Sequence, residues 1–115
     1  MITIRPGNAQ HIGGRKDQQD AFGFTDLEDK PFHKHGGSLA VVADGMGGLN
    51  FGDLASRLAV HVFLREYMKK NTEETPKDAL LRSLLAANRA VYEMACEKNI
   101  ENEIGTTLVA AVINY

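Results

Sequence analysis

An apolar run that ends in one carboxylate and a cluster of glycines constrains this chain more than any other feature. Ser38 to Ala43 is typical of a buried strand, and it leads directly into Asp44-Gly45-Met46-Gly47-Gly48. Glycine is favoured where φ is positive or where another group approaches the main chain closely. The pattern therefore indicates a candidate ligand for a hard cation at a strand end. The alternative is an ordinary glycine-rich turn that contains an aspartate.

The length and charge of the chain indicate one small globular unit. It has 115 residues, of which 43% are hydrophobic, which is enough for one core and too few for two. Thirteen basic and fifteen acidic residues give a net charge of -2, so no strong field favours nucleic acid or an anionic membrane surface. The sequence contains neither a signal-peptide pattern nor an apolar run long enough for a membrane span. We therefore expect a soluble, cytoplasmic protein.

Hydrophobic periodicity predicts strands at both ends of the chain. Ala21 to Thr25 and Ser38 to Ala43 predict an antiparallel hairpin, joined by a long exposed loop over Asp26 to Gly37. Ile2 to Ile4 alternates as a further short strand would. The apolar, β-rich run from Leu108 to Ile113 predicts a last strand that is buried.

Two amphipathic helices are predicted between the hairpin and the last strand. The first spans Gly52 to Lys70. The second begins at Thr75-Pro76-Lys77-Asp78, where a threonine cap precedes a proline at the first helical position, and it runs to about Asn99. The apolar residues that we expect it to bury are Leu81, Leu84, Leu85, Val91, Tyr92 and Ala95.

The predicted hairpin brings two aspartates together. Asp20 opens the first strand and Asp44 closes the second, and these two ends lie at the same edge of an antiparallel pair. Two carboxylates so close repel each other unless a cation lies between them, which indicates a divalent metal site. Oxygen ligands without cysteine favour Mg²⁺ or Mn²⁺ over zinc. The alternative is that each aspartate only caps or starts a turn.

Arg15 adds a phosphate-binding group near this predicted metal site. It precedes Asp20 by five residues, and its guanidinium offers a planar fork of donors that suits a phosphate group. A metal ion beside such a fork is the arrangement that phosphoryl chemistry uses.

Four motifs follow one another along nearly the whole chain. They are Arg15-Lys16-Asp17-Gln18-Gln19-Asp20, Val42-Ala43-Asp44-Gly45-Met46-Gly47-Gly48, Ala55-Ser56-Arg57-Leu58-Ala59 and Gly105-Thr106-Thr107. Together they resemble the metal-dependent protein serine/threonine phosphatases of the PPM or PP2C type. Methionine at position 46 resembles the bacterial branch of this family, since other branches often carry histidine there.

The resemblance implies an α+β fold, namely an α/β/β/α sandwich. This chain would supply about its first half: antiparallel strands, two helices and one further strand. The implied activity is hydrolysis of phosphoserine or phosphothreonine in phosphoproteins by a metal-activated water, in signalling that also involves serine/threonine kinases. The implied cofactors are two or more Mn²⁺ or Mg²⁺ ions.

Site residues are implied position by position. Arg15 would bind the substrate phosphate, and Asp20 and Asp44 would bind metal through their carboxylates. The carbonyl of Gly45 would be a backbone ligand. Thr106-Thr107 would support the metal centre from a neighbouring strand.

The chain departs from the family pattern in two respects. Gln19 occupies a position where many members have glutamate, which removes one negative charge; we interpret this as tuning of the metal centre. A complete family domain is also longer, and its later strands supply further metal-binding aspartates. We therefore interpret residues 1–115 as the N-terminal half of a single domain, and we expect it to be inactive alone.

A second hypothesis is a non-catalytic binding module. An exposed last strand has unpaired backbone groups, and these invite pairing with another chain. A strand-paired or swapped dimer of this chain would satisfy them.

Overall fold

The computed structural model of the protein describes residues 3–16 and 18–114 and confirms a mixed fold of helices and antiparallel strands. The elements in these ranges are β1 (Asp20–Phe24), α1 (Lys30–Gly36), β2 (Ser38–Met46), α2 (Phe51–Tyr67), α3 (Pro76–Glu97), β3 (Gly105–Thr106) and β4 (Val109–Ile113). The strand predicted over Ile2 to Ile4 is wrong where it can be compared, because Thr3 and Ile4 belong to no strand. Ile2 itself lies outside the described residues.

Strand β2 forms the centre of the sheet. Val42 in β2 lies opposite Phe22 in β1 and opposite Val109 in β4, so the two strands flank β2 on either side. The short β3 pairs with the end of β2, where Gly45 lies opposite Thr106. This pairing extends β2 beyond its predicted end at Ala43 and places the aspartate of the glycine motif inside the strand.

One face of β2 is buried and the other is exposed. Leu39, Val41 and Ala43 are buried at alternate positions, as the two-residue period of a strand requires. Helix α2 packs against β1, β2 and β3 and covers this buried face. Val42 and Met46 belong to the opposite face, where 53% and 58% of their surface remains accessible.

The segment between β1 and β2 contains helix α1, so the prediction of a long exposed loop is wrong. Asp29 caps this helix by accepting a hydrogen bond from the backbone N–H of Phe32 at 3.1 Å. Phe32 is buried and packs edge to face against Tyr67 of α2, with ring centroids 5.9 Å apart. The hydroxyl of Tyr67 donates to the carbonyl oxygen of Gly36 at 2.7 Å and anchors the helix end.

The long helix α3 begins as predicted. The hydroxyl of Thr75 accepts a hydrogen bond from the N–H of Asp78, and Pro76 is the first helical residue. Both long helices end slightly earlier than predicted, α2 at Tyr67 and α3 at Glu97. In the described part of the chain, neither these helices nor α1 is long and apolar enough to cross a membrane.

The predicted buried stripe of α3 is largely wrong. Its small residues Ala79, Ser83 and Ala87 are buried, because α3 packs along α2 and small side chains allow two helices to approach closely. The larger members of the predicted stripe that are exposed are Leu81 (57%), Leu84 (44%), Leu85 (61%) and Tyr92 (59%). Of the predicted stripe, Ala95 is buried.

The last strand is also more exposed than predicted. Val109 and Ile113 have 70% and 53% of their surface accessible. Val109 lies opposite the exposed Val42 of β2, and Ile113 shares the face of Val109 through the two-residue period of the strand. In the part of the chain that the structure describes, β4 pairs with β2 alone, so its outer edge is unpaired.

Candidate functional site

Asp20 and Asp44 face each other across strands β1 and β2. They are a directly opposed pair in the antiparallel register, so both side chains leave the same face of the sheet. Asp44 is exposed between the buried Ala43 and Gly45, which places the pair on the face opposite α2. The predicted proximity of the two aspartates is confirmed.

Burial and the neighbouring Asp44 both affect the Asp20 carboxyl. Desolvation raises the pKa of the Asp20 carboxyl above its ordinary value, and Asp44 raises it further through a hydrogen bond and through charge repulsion. Arg15 lowers the same pKa, because its positive charge stabilises the carboxylate. The site therefore carries negative charge that a proton or a cation would offset.

Arg15 shares a polar cavity with the two carboxylates. The cavity has a volume of about 240 Å³. Its lining residues are His11, Ile12, Arg15, Gln18, Gln19, Asp20 and Asp44. Arg15, Asp20 and Asp44 are thus brought together in space, as the sequence predicts, while their binding roles remain predictions.

A side chain at Gly45 would point towards the first turn of α2, on the face of β2 opposite the Asp44 carboxylate. Gly45 is buried, and its N–H donates to the carbonyl oxygen of Gln19 at 2.9 Å. A Cβ atom at this position would collide with the backbone carbonyl of Gly52, which explains why glycine is needed. From the sequence, we expect an ion to lie close to the backbone of Gly45. In the structure, the start of helix α2 lies close to it instead. A ligand role for the Gly45 carbonyl remains a prediction.

Gln19 fixes the glycine segment that follows β2. Its side-chain amide donates a hydrogen bond to the carbonyl oxygen of Gly47 at 2.9 Å. Gly47 has a φ of 148°, a conformation that side chains disfavour. Sequence reasoning treats Gln19 only as a lost negative charge and misses this contact, because residue type does not reveal which backbone group an amide reaches.

Thr107 holds the main chain of Asp44 in place. Its hydroxyl accepts a hydrogen bond from the N–H of Asp44 at 3.1 Å, and its own N–H donates to the Asp44 carbonyl oxygen at 2.8 Å. Thr106 pairs with Gly45 in the adjacent ladder. Both threonines thus contact β2 beside the aspartate pair.

His11 is a cavity residue that sequence reasoning misses. It lies in an extended segment before β1 that has neither helical nor strand periodicity. Only its position four residues before Arg15 could have suggested that the two side chains share a site.

The donor types of this site suit a hard cation. Carboxylate and backbone carbonyl oxygens are the ligands that Mg²⁺ and Mn²⁺ prefer. Besides desolvation, repulsion from Asp44 raises the pKa of Asp20, and such a cation would offset that repulsion. Within residues 3–16 and 18–114, three or more His, Cys, Asp or Glu side chains do not cluster as a metal site would need. The oxygen donors fit the cation in kind, with fewer carboxylates than a tight site uses.

Known proteins are similar to this chain in sequence. A model of the family described as protein phosphatase 2C matches residues 8–114. The serine/threonine phosphatase stp of Listeria innocua is 30% identical over 102 residues, which cover 86% of this chain and 38% of that protein. A protein phosphatase 2C-type protein of Streptococcus pyogenes is 30% identical over 90 residues, which cover 76% of this chain and 36% of that protein.

Solved structures show the same fold. The S. agalactiae serine/threonine phosphatase matches with a TM-score of 0.69 and 28% identity, over 88% of this chain and 40% of that one. The Mycobacterium tuberculosis serine/threonine phosphatase PstP/Ppp matches with a TM-score of 0.65 and 23% identity, over 86% of this chain and 37% of that one. The chain therefore spans well under half the length of the proteins it matches.

Proposed function

Because this chain belongs to the protein phosphatase 2C family, we propose that residues 1–115 form the N-terminal part of a single domain that hydrolyses phosphoserine or phosphothreonine in proteins. The observation that carries the proposal is the opposed pair of Asp20 and Asp44, with Arg15 in the same cavity. The names of the bacterial relatives, which are serine/threonine phosphatases, support this substrate class.

Each site residue has a chemical role in the proposal. Asp20 and Asp44 hold Mn²⁺ or Mg²⁺ through their carboxylates, and the Gly45 carbonyl contributes a third oxygen. Arg15 binds and orients the phosphate of the substrate through its guanidinium. When bound, the metal supplies Lewis acidity, which activates water and neutralises charge on the phosphoryl group. Thr107 keeps Asp44 in position through hydrogen bonds to its backbone N–H and carbonyl oxygen.

The isolated chain is expected to be a poor enzyme. It offers two opposed carboxylates where a hard-cation site gains affinity from a larger number of charged ligands. Its relatives are more than twice as long as the part that it matches. We expect little or no hydrolysis of a phosphothreonine peptide or an aryl phosphate with Mn²⁺. Fast turnover by residues 1–115 would show that further ligands are unnecessary.

Mn²⁺ binding tests the proposed metal site directly. The electron paramagnetic resonance signal of free Mn²⁺ falls as the ion binds, so it reports affinity without any need for activity. We expect Asp20→Asn and Asp44→Asn to weaken binding by at least about tenfold, the loss that even outer-shell substitutions cause. Asp53→Asn is the matched control, because Asp53 forms an ion pair with Arg57 at 2.7 Å on α2. Equal affinity in all four proteins would refute the site.

The unpaired edge of β4 favours a second candidate function, a binding module. Val109 and Ile113 expose most of their side-chain surface beside that edge, and such strands pair with other chains unless charges protect them. A second copy of this chain is the simplest partner, because two equivalent edges can pair about a two-fold axis.

Light scattering separates the binding module from a monomeric fragment. The module predicts a dimer that becomes monomeric when Val109 and Ile113 are both replaced by lysine, since edge lysines block strand pairing. Leu81→Lys is a control on α3, which is exposed but distant in sequence from the strand. A wild-type chain that stays monomeric at high concentration would rule out strand pairing between copies.

A further inference from the structure

His11 and Arg15 both line the polar cavity, and a tight turn joins them. The N–H of Arg15 donates to the carbonyl oxygen of Ile12 at 3.3 Å and closes the turn. Gly13 adopts a φ of 65° within it, which favours glycine. Just before the turn, the side-chain amide of Gln10 donates to the carbonyl oxygen of Asp20 at 3.4 Å and ties the segment to β1.

A backbone contact decides which nitrogen of His11 is available. The N–H of Gly13 donates to Nδ1 of His11 at 3.0 Å, so Nδ1 acts as an acceptor. A ring nitrogen that accepts a hydrogen bond carries no proton, and in the neutral ring the other nitrogen is then an N–H donor. His11 is exposed and has Nε2–H free of this turn contact.

The cavity therefore combines three kinds of group. The two carboxylates suit a cation, Arg15 suits an anion, and Nε2–H of His11 is a further hydrogen-bond donor in the same cavity. A tetrahedral phosphate has several acceptor oxygens, and one guanidinium satisfies two of them at most. A further donor in the same cavity would bind another oxygen of the phosphate.

We propose that His11 is a substrate-binding residue whose Nε2–H donates a hydrogen bond to the phosphate that Arg15 binds. The inference rests on the proposed function, since it assumes that phosphate enters this cavity. It assigns a role to the turn over residues 12–15, which sets the tautomer of His11 and its distance from Arg15. From the usual strength of a hydrogen bond to a charged group, we expect loss of this donor to weaken phosphate binding by about tenfold or more.

Nuclear magnetic resonance of the full chain tests the inference without any need for turnover. Inorganic phosphate is titrated into ¹⁵N-labelled protein in saturating Mg²⁺, and long-range ¹H–¹⁵N spectra report the tautomer of each of the four histidines. We expect His11 to show an unprotonated Nδ1 and a protonated Nε2. We expect phosphate to shift Nε2 of His11 and the side-chain N–H of Arg15, and to leave the exposed His61 on α2 unchanged.

Variants separate hydrogen bonding from packing. His11→Ala should weaken phosphate binding about tenfold, and His11→Gln should recover part of the loss because its amide also donates. His61→Ala is the control and should bind phosphate as the wild type does. Mg²⁺ affinity should be the same in all of these proteins, because His11 is not placed among the metal ligands.

The outcomes distinguish this inference from the proposed function. Phosphate that shifts Arg15 but not His11 would overturn the role of His11 and leave the phosphatase proposal intact. Parallel loss of Mg²⁺ and phosphate affinity in His11→Ala would also overturn it, because His11 would then be a metal ligand. Phosphate that shifts neither residue would contradict both proposals.

Discussion

The side-chain amide of Gln19 donates a hydrogen bond to the carbonyl oxygen of Gly47, at a distance of 2.9 Å. The two residues are far apart in the sequence, where Gln19 directly precedes Asp20 and Gly47 follows Asp44. Gln19 also accepts a hydrogen bond from the N–H of Gly45 through its own backbone carbonyl. Gln19 therefore bonds to two of the glycines that follow Asp44, Gly45 and Gly47.

This contact predicts that Gln19→Glu destabilises the chain at neutral pH. A carboxylate cannot donate to the Gly47 carbonyl, and two acceptors would then face each other. We expect a loss of about 1–2 kcal/mol in the free energy of unfolding, measured by urea denaturation, with recovery as the pH falls and the new carboxyl becomes protonated.

Gln18→Glu is the matched control for this change. Gln18 uses its side-chain oxygen to accept from the N–H of Asp20 at 3.4 Å, and a glutamate keeps that acceptor. Its stability should stay within about 0.5 kcal/mol of wild type. Equal effects of the two substitutions would show that charge, and not the lost donor, is responsible.

Asp20 makes the stability of the metal-free chain depend on pH. Its pKa is raised above 3.8 in the folded state, so the folded protein binds a proton that the unfolded chain has already released. The stabilisation from this extra proton is fully present below the pKa that Asp20 has in the unfolded chain. It is lost as the pH rises through the pKa of Asp20 in the folded protein. Without metal, Asp20→Asn should therefore raise the melting temperature at neutral pH and flatten its decline above pH 4.

Melting curves in a chelator between pH 3 and 7 measure this effect. Asp53→Asn is the control and should keep the decline with pH, whatever its own stability. If Asp20→Asn leaves the pH dependence of the wild type unchanged, the raised pKa of Asp20 does not govern it.

The contact between Gly45 and Gly52 predicts that Gly45→Ala is destabilising. The new methyl group would overlap the Gly52 carbonyl, which belongs to rigid backbone at the start of α2. Overpacking of this kind costs about 1–3 kcal/mol, and thermal unfolding should show it. Gly48→Ala is the control, because a Cβ at Gly48 meets no atom within 4 Å. A stable Gly45→Ala protein would mean that α2 can move away from the sheet.

The hydroxyl of Thr107 is expected to support the proposed metal site through the main chain of Asp44. Thr107→Val keeps the shape but removes the acceptor for the Asp44 N–H, at a cost of about 0.5–1.5 kcal/mol in stability. Mn²⁺ affinity should fall as well, since the carboxylate is then held less firmly. Thr107→Ser retains the hydroxyl and should behave like the wild type in both measurements.

Local signals in the sequence predict several parts of this fold correctly. The start of α3 follows from Thr75 and Pro76, because caps act within a few residues. The approach of Asp20 to Asp44 follows from the hairpin, because antiparallel pairing fixes which ends meet. The sequence predicts a loop where helix α1 forms, although Asp29 and Pro31 carry a start signal. The hydrogen bond that anchors this helix comes from Tyr67 on a distant helix, which no local pattern predicts.

The exposed apolar face of α3 shows that hydrophobic periodicity alone does not determine which side chains of a helix are buried. Leu81 and Leu85 satisfy a helical stripe, yet they remain exposed while the smaller Ala79 and Ala87 are buried. Periodicity shows which residues share a face, but the partner element decides which face is covered. Here α2 takes the face of small side chains, because it permits close packing of the two helices.

The sequence by itself determined the family, the hairpin, and the choice of Arg15, Asp20 and Asp44 as candidate site residues. It could do so because motif order and strand pairing depend on residue type and spacing. Tertiary structure alone decided why Gly45 must be glycine, what Gln19 holds, and that His11 joins the cavity. These facts depend on which backbone atoms meet across elements, and no local pattern encodes that meeting. The carboxylate pair is thus encoded in residue types, whereas its supporting contacts arise only when α2, β3 and the turn at residues 12–15 pack around it.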